Sequence, residues 1–156
     1  MGRVAAYAEG YWAEAAYTYD PMGRVLSEAA GGIAKSYAYD ANGNMLSETD
    51  GEGGVSAYAY DAAGRLISAE TPEGSITEYA YDGNGRIVAI TDAEGGLAAV
   101  GYDGDGNPVS LTDARGFATL MEYDAMGRLS KETYADGSFV EYSYDANSRL
   151  ASRADG

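Results

Sequence analysis

The chain has 156 residues, a net charge of −15, and neither Cys nor His. Without those residues there are no disulfides and no thiol chemistry, and the usual general base and commonest transition-metal ligand are missing. A surface this poor in Lys and Arg argues against a nucleic-acid partner and against adhesion to anionic lipid. No apolar run approaches the ~18 residues of a membrane-spanning helix, and Met1-Gly2-Arg3-Val4 is followed by no apolar signal-peptide core. Membrane insertion is therefore not expected, and no signal peptide is visible in this chain.

Few aliphatics and high charge would by themselves point to disorder. Fifteen Tyr residues oppose that reading, because they supply large buriable faces and recur at fixed intervals. Tyr-Asp occurs at Tyr19-Asp20, Tyr39-Asp40, Tyr60-Asp61, Tyr81-Asp82, Tyr102-Asp103, Tyr123-Asp124 and Tyr144-Asp145. The first spacing is 20 residues and the later ones are 21. A period of this size marks a repeat architecture.

The frame first appears as Tyr19-Asp20-Pro21-Met22-Gly23-Arg24-Val25. It returns as Tyr60-Asp61-Ala62-Ala63-Gly64-Arg65-Leu66, Tyr81-Asp82-Gly83-Asn84-Gly85-Arg86-Ile87 and Tyr123-Asp124-Ala125-Met126-Gly127-Arg128-Leu129. Two copies carry Asn after Gly, at Gly43-Asn44 and Gly106-Asn107, and the last reads Ser148-Arg149. Asp accepts backbone N–H groups two residues on, and Gly three residues later supplies a positive φ, so Asp-x-x-Gly predicts a tight turn between strands. Asp61, Gly64, Asp82 and Gly85 are the type positions. A second turn is predicted about ten residues further on in each repeat, as at Pro72-Glu73-Gly74, Asp92-Ala93-Glu94-Gly95, Asp113-Ala114-Arg115-Gly116 and Ala135-Asp136-Gly137.

Between the turns lie short runs with period-2 alternation, such as Ser75-Ile76-Thr77-Glu78-Tyr79-Ala80-Tyr81. They predict strands with Thr77, Tyr79 and Tyr81 on one face and Ile76, Glu78 and Ala80 on the other. The unit is one β-hairpin, and an isolated hairpin is marginal in water, so stability must come from neighbouring repeats. Helix is not expected, since Gly or Asn interrupts the chain about every ten residues. The predicted fold is all-β: one array over 1–156, of about seven 21-residue hairpins in a continuous antiparallel ribbon, either a β-spiral or part of a shell. Repeats begin at about Tyr19, Tyr39, Tyr60, Tyr81, Tyr102, Tyr123 and Tyr144, with partial repeats at both ends.

Equal hairpins in register line up Tyr17/Tyr19, Tyr37/Tyr39, Tyr58/Tyr60, Tyr79/Tyr81 and Tyr142/Tyr144. Aromatic contacts between strands, at roughly 0.2–1 kcal/mol each, would then offset the missing aliphatics. Arg24, Arg65, Arg86, Arg128 and Arg149 form a parallel row, placed to pair across the turn or to stack on a Tyr face.

The frame Tyr58–Leu66, with Tyr17–Val25 and Tyr79–Ile87 close behind, resembles the YD repeats of the Rhs family, and the resemblance spans essentially the whole chain. It implies large secreted or surface proteins, among them polymorphic toxins, insecticidal toxin shells, wall-associated proteins and teneurins. In these the repeats spiral into a hollow shell, often around a toxic C-terminal cargo. An extracellular or cell-surface location follows from the resemblance. The chain is far shorter than whole members and lacks the Asp-Pro-x-Gly segment before the toxin, since Asp20-Pro21 sits in an ordinary repeat turn. Self-cleavage and toxicity are therefore not implied, and a repeat-only piece or short member is expected.

Four other roles could accompany this structural one. Asp103, Asp105 and Asn107 open like a calcium loop, but Pro108 replaces its sixth-position Gly and Ala114 its twelfth-position Glu. Turn formation accounts for them, and no cofactor is expected. Close carboxylate pairs must occur among 25 Asp and Glu, and none has a distinguishing neighbour for glycoside hydrolysis. No enzyme activity is expected. Tyr faces beside Asp and Asn suit sugar rings, with Trp12 and Tyr11 the leading candidates and Tyr7 and Tyr134 the other non-periodic tyrosines. Finally, unblocked edge strands would suit self-association or the rest of a longer array.

Overall fold

The computed structural model describes residues 15–156. Tyr7, Tyr11 and Trp12 lie outside them. The described residues form fourteen short β-strands and no helix, in two compact units that meet in sequence between Thr77 and Glu78. Unit one holds β1 (Ala15–Tyr19), β2 (Val25–Ala30), β3 (Ile33–Tyr39), β4 (Met45–Thr49), β5 (Val55–Tyr60) and β6 (Leu66–Glu70). The next strand, β7 (Ile76–Tyr81), includes the boundary. Unit two continues with β8 (Ile87–Thr91), β9 (Leu97–Tyr102), β10 (Pro108–Thr112), β11 (Ala118–Tyr123), β12 (Leu129–Thr133), β13 (Phe139–Tyr144) and β14 (Leu150–Asp155). Within each unit every strand pairs antiparallel with its sequence neighbours.

Register assigns the faces, because paired residues lie on one side of a sheet. In unit one Tyr17, Glu28 and Lys35 lie in a row, as do Tyr37, Glu48 and Ser56. The opposite face carries small residues: Ala38, Ser47 and Ala57 in one row, Thr18, Ser27 and Ser36 in another. In unit two the tyrosine face also carries Met121, Glu132 and Val140 across three strands. Met121 and Val140 are the buried hydrophobic residues among those described, at 9% and 4% exposure. Within each unit the sheet has no second layer to cover its faces, so Ile33 and Val55 in one unit and Leu97 and Leu120 in the other stay exposed. The stability of each unit is therefore spread along the strand pairs rather than held in one core.

Both kinds of turn close alike. Gly64 N–H donates to Asp61 O at 3.0 Å and Asp61 N–H to Arg65 O at 2.9 Å; Gly95 N–H donates to Asp92 O at 3.0 Å and Asp92 N–H to Gly96 O at 2.9 Å. The glycine takes a positive φ, +79° at Gly64 and +81° at Gly95. This is a three-residue hairpin loop with a left-handed third residue. The second turn of the first repeat differs. Ala30 pairs directly with Ile33, leaving the two-residue loop Gly31-Gly32 with φ of +61° and +84°. That missing loop residue accounts for the 20-residue spacing between Tyr19 and Tyr39. In the last repeat Ser148 occupies the glycine position and still adopts φ of +60°.

Each Tyr of the Tyr-Asp pair sits beside a register shift. Tyr19 pairs with Val25 while Thr18 pairs with Ser27, and the same break recurs at Tyr39, Tyr60, Tyr81, Tyr123 and Tyr144. A bulge at a fixed place in each hairpin bends and twists the strand there, and aims the adjoining side chains.

Candidate functional site: the Asp-Arg-Tyr ladder

Each Asp of the Tyr-Asp pair organises its own turn. Asp61 Oδ1 accepts the N–H groups of Ala63 at 2.9 Å and Arg65 at 3.0 Å, and Oδ2 accepts Arg65 Nε at 2.7 Å. Asp82 with Arg86 and Asp124 with Arg128 repeat the arrangement, with Nε–Oδ2 distances of 2.7 and 2.8 Å. Asp20 pairs in the same way with Arg24. These bonds favour the charged carboxylate. The Arg65 backbone N–H and then its guanidinium hold Asp61 below the usual Asp range. The Arg128 guanidinium and then its N–H do the same for Asp124.

The arginine also reaches the next repeat. Arg24 Cζ lies 4.8 Å from the centre of the Tyr39 ring, Arg86 Cζ 4.1 Å from Tyr102, and Arg128 Cζ 4.5 Å from Tyr144. Arg24 Nη1 donates to Asp40 O, in the next turn, at 3.1 Å. The tyrosine hydroxyl completes the link. Tyr102 Oη donates to Ile87 O at 3.2 Å, Tyr123 Oη to Pro108 O at 2.8 Å and Tyr144 Oη to Leu129 O at 2.9 Å. One guanidinium thus joins a carboxylate of its own repeat to an aromatic ring of the following one, as its planar fork and flat face allow.

Where aromatic rows are expected, the ring-to-ring contact within the two units is Tyr17 with Tyr19, at 6.3 Å along one strand. At Arg24, Arg86 and Arg128 successive repeats meet through guanidinium over ring. Cross-strand register places Tyr37 opposite Glu48 and Tyr142 opposite Arg153, so tyrosines do not face tyrosines.

The sequence reading passed over a second polar set on the tyrosine face. Tyr37 Oη donates to Glu28 Oε1 at 3.0 Å, and Tyr142 Oη to Glu132 Oε2 at 2.6 Å. Partial burial and then the Glu28 contact raise the Tyr37 phenol above its ordinary value; the Glu132 bond leads the same effect at Tyr142. The recurrence of Ser-Glu at Ser27-Glu28 and Ser47-Glu48 was the available signal.

At Asp103 both carboxylate oxygens are engaged by the turn itself: Oδ1 by the N–H groups of Asp105 and Asn107, Oδ2 by Asn107 Nδ2 at 3.0 Å. Among the described residues no group of three or more acidic side chains is placed to hold a metal ion. Tyr134 lines a shallow concavity of about 350 Å³ with Arg115, Phe117, Thr119 and Asp136.

Residues 60–97 and 102–138 match the family described as RHS Repeat. No curated protein is significantly similar in sequence. Solved structures are similar in fold. One is the Tc holotoxin pore of Photorhabdus luminescens carrying a TccC3 variant, at a TM-score of 0.69 and 18% identity over 92% of this chain. Another is the crystal structure of TcdB2-TccC3, at 0.65 and 19% over 91%. This chain spans only 9% of the length of either.

Proposed function

The chain belongs to the Rhs (YD) repeat family, and we propose that it acts without catalysis, as a single structural array forming part of the wall of a secreted or surface protein. The observation that carries this reading is the link from one repeat to the next. Asp, Arg and Tyr, the side chains that would be candidates for chemistry, are spent on holding hairpins side by side. Fold similarity to long toxin chains supports a wall segment, and a longer parent chain could enclose a cargo behind it.

An open strand edge is where such an array would be extended. β14 pairs with β13 on one side, and all six of its residues are exposed. Arg149 has its backbone N–H on Asp145, and no ring or carboxylate engages its guanidinium among the described residues. Such an edge suits either further repeats of the parent or a second copy. Light scattering and electron microscopy of the isolated chain test this. Species far above 16.3 kDa, or ordered rings or fibres, support it. A strict monomer at all concentrations removes self-association, and loss of the β-sheet signal removes the scaffold.

A second reading, glycan binding at the surface, is favoured by the concavity that exposed Phe117 and Tyr134 line with Asp136, where the Arg115 guanidinium lies 5.3 Å from the centre of the Phe117 ring. Retention on a glycan array that disappears with Tyr134→Ala supports it; no retention removes it.

A further inference from the structure

Three arginine turns show what fills the space over the next repeat's tyrosine. Arg24 and Arg86 each lay a guanidinium on that ring, with Nη1 3.4 and 3.1 Å from where a Cβ would stand on the next turn's glycine, Gly43 and Gly106. Arg128 reaches Tyr144 and the Ser148 hydroxyl of the next turn in the same way. At Asn44 and Asn107 the side chain is too short for this. Each amide reproduces only the first contact, donating to Asp40 Oδ2 at 2.8 Å and to Asp103 Oδ2 at 3.0 Å. The rings beyond, Tyr60 and Tyr123, have no cation over them among the described residues. The next glycines show the difference. A Cβ on Gly127 would meet nothing within 4 Å, and one on Gly64 would meet only the Asn44 amide, at 3.7 Å.

The surroundings of both rings select for positive charge. A tyrosine face is negative at its centre. Partial burial, and then Tyr58 and Asp40 beside Tyr60 and Asp103 and Glu132 beside Tyr123, raise both phenols above their ordinary value. The net charge of −15 acts in the same direction. The three arginine turns show which cation has the right form: a planar guanidinium that stacks on the ring while its N–H groups reach the next turn. We propose that Tyr60 with Asn44, and Tyr123 with Asn107, are binding positions for a guanidinium group supplied by an arginine of another polypeptide. They lie three repeats apart in the sequence and offer two equivalent attachment points in an array whose Tyr39, Tyr102 and Tyr144 rings are already covered by arginine.

Methylguanidinium chloride, titrated into the intact chain against sodium chloride of equal ionic strength, tests this by NMR of the assigned tyrosine rings. Saturable shifts are expected at Tyr60 and Tyr123, with Tyr39, Tyr102 and Tyr144 unmoved. Asn44→Arg should abolish the Tyr60 response and leave that of Tyr123; Asn107→Arg should do the reverse. Arg86→Asn should make Tyr102 respond, which tests the idea in a variant that opens a position rather than filling one. Equal shifts at all tyrosines, or an unchanged Tyr60 response in Asn44→Arg, would overturn the proposal, as would methylammonium binding as tightly as methylguanidinium.

Discussion

The Arg86 guanidinium lies 4.1 Å from the centre of the Tyr102 ring, while the same side chain holds Asp82 of its own turn. Arg86→Ala removes both contacts. A stacked cation at a partly exposed site is worth about 0.5–1 kcal/mol, so the urea midpoint of unfolding should fall by an amount equivalent to roughly 1 kcal/mol. Arg86→Lys should recover less than half of the loss, because an ammonium cannot stack and bind the carboxylate with the same fork. Full recovery by Lys would mean that charge alone matters.

Gly127 isolates the backbone requirement of the turn. Its φ is +73°, and a Cβ there would touch nothing within 4 Å. Gly127→Val should therefore destabilise through conformation alone, by roughly 1–2 kcal/mol, whereas Gly127→Asn should cost clearly less because Asn tolerates the left-handed region. Thermal melts of the two variants check the order. The same substitution at Gly64, with φ of +79°, should lower the melting temperature as well.

Ser148 gives the converse case. It holds φ of +60° without being glycine, and its hydroxyl receives Arg128 Nη1 at 3.2 Å. Ser148→Gly relieves about 1 kcal/mol of backbone cost and gives up one exposed hydrogen bond, so stability should rise by less than 1 kcal/mol. Ser148→Ala loses the bond and keeps the strain, and should fall below the parent. Differential calorimetry separates the three.

Acid should loosen the turns in a defined window. Asp40, Asp61, Asp103 and Asp124 all have folded-state pKa values below the ordinary 3.8. For a depressed carboxylate the unfolded chain takes up the proton first as pH falls. The stabilisation is therefore complete above about pH 4 and is lost as pH drops through the lower folded values. Melting temperature should be flat from pH 7 to 5 as far as these groups are concerned, and should fall steeply below 4. Asp61→Asn keeps much of the turn while removing the charge, and should shrink that acid-dependent drop.

The period, the strands and the turns were legible because each is written in residues with one conformational use: Asp with Gly three positions on, and Tyr alternating with Ala. The partners of those tyrosines were legible only in part: an arginine on a Tyr face was among the expectations, but not which tyrosine, nor the opposing glutamates. Sequence spacing puts Tyr37 and Tyr58 in equivalent places, but register decides that each strand is separated from its equivalent by an intervening one, carrying Glu28, Glu48 or Ala69. The guanidinium contact needed the depth of the turn, since Arg24 reaches Tyr39 only because the hairpin folds its fifth turn residue toward the next repeat. The buried pair Met121 and Val140 was hidden for another reason: they flank Glu132, a residue no hydrophobic pattern would place between them.

The Gly31-Gly32 loop carries a lesson about how such chains can drift. Shortening that connection by one residue leaves Asp20, Arg24 and Tyr39 in the same mutual arrangement as their longer-looped counterparts Asp82, Arg86 and Tyr102. Length errors made at the far end of a hairpin are thus absorbed where they arise. Arrays of this kind can gain or lose residues on one margin through descent while the other margin keeps its grammar.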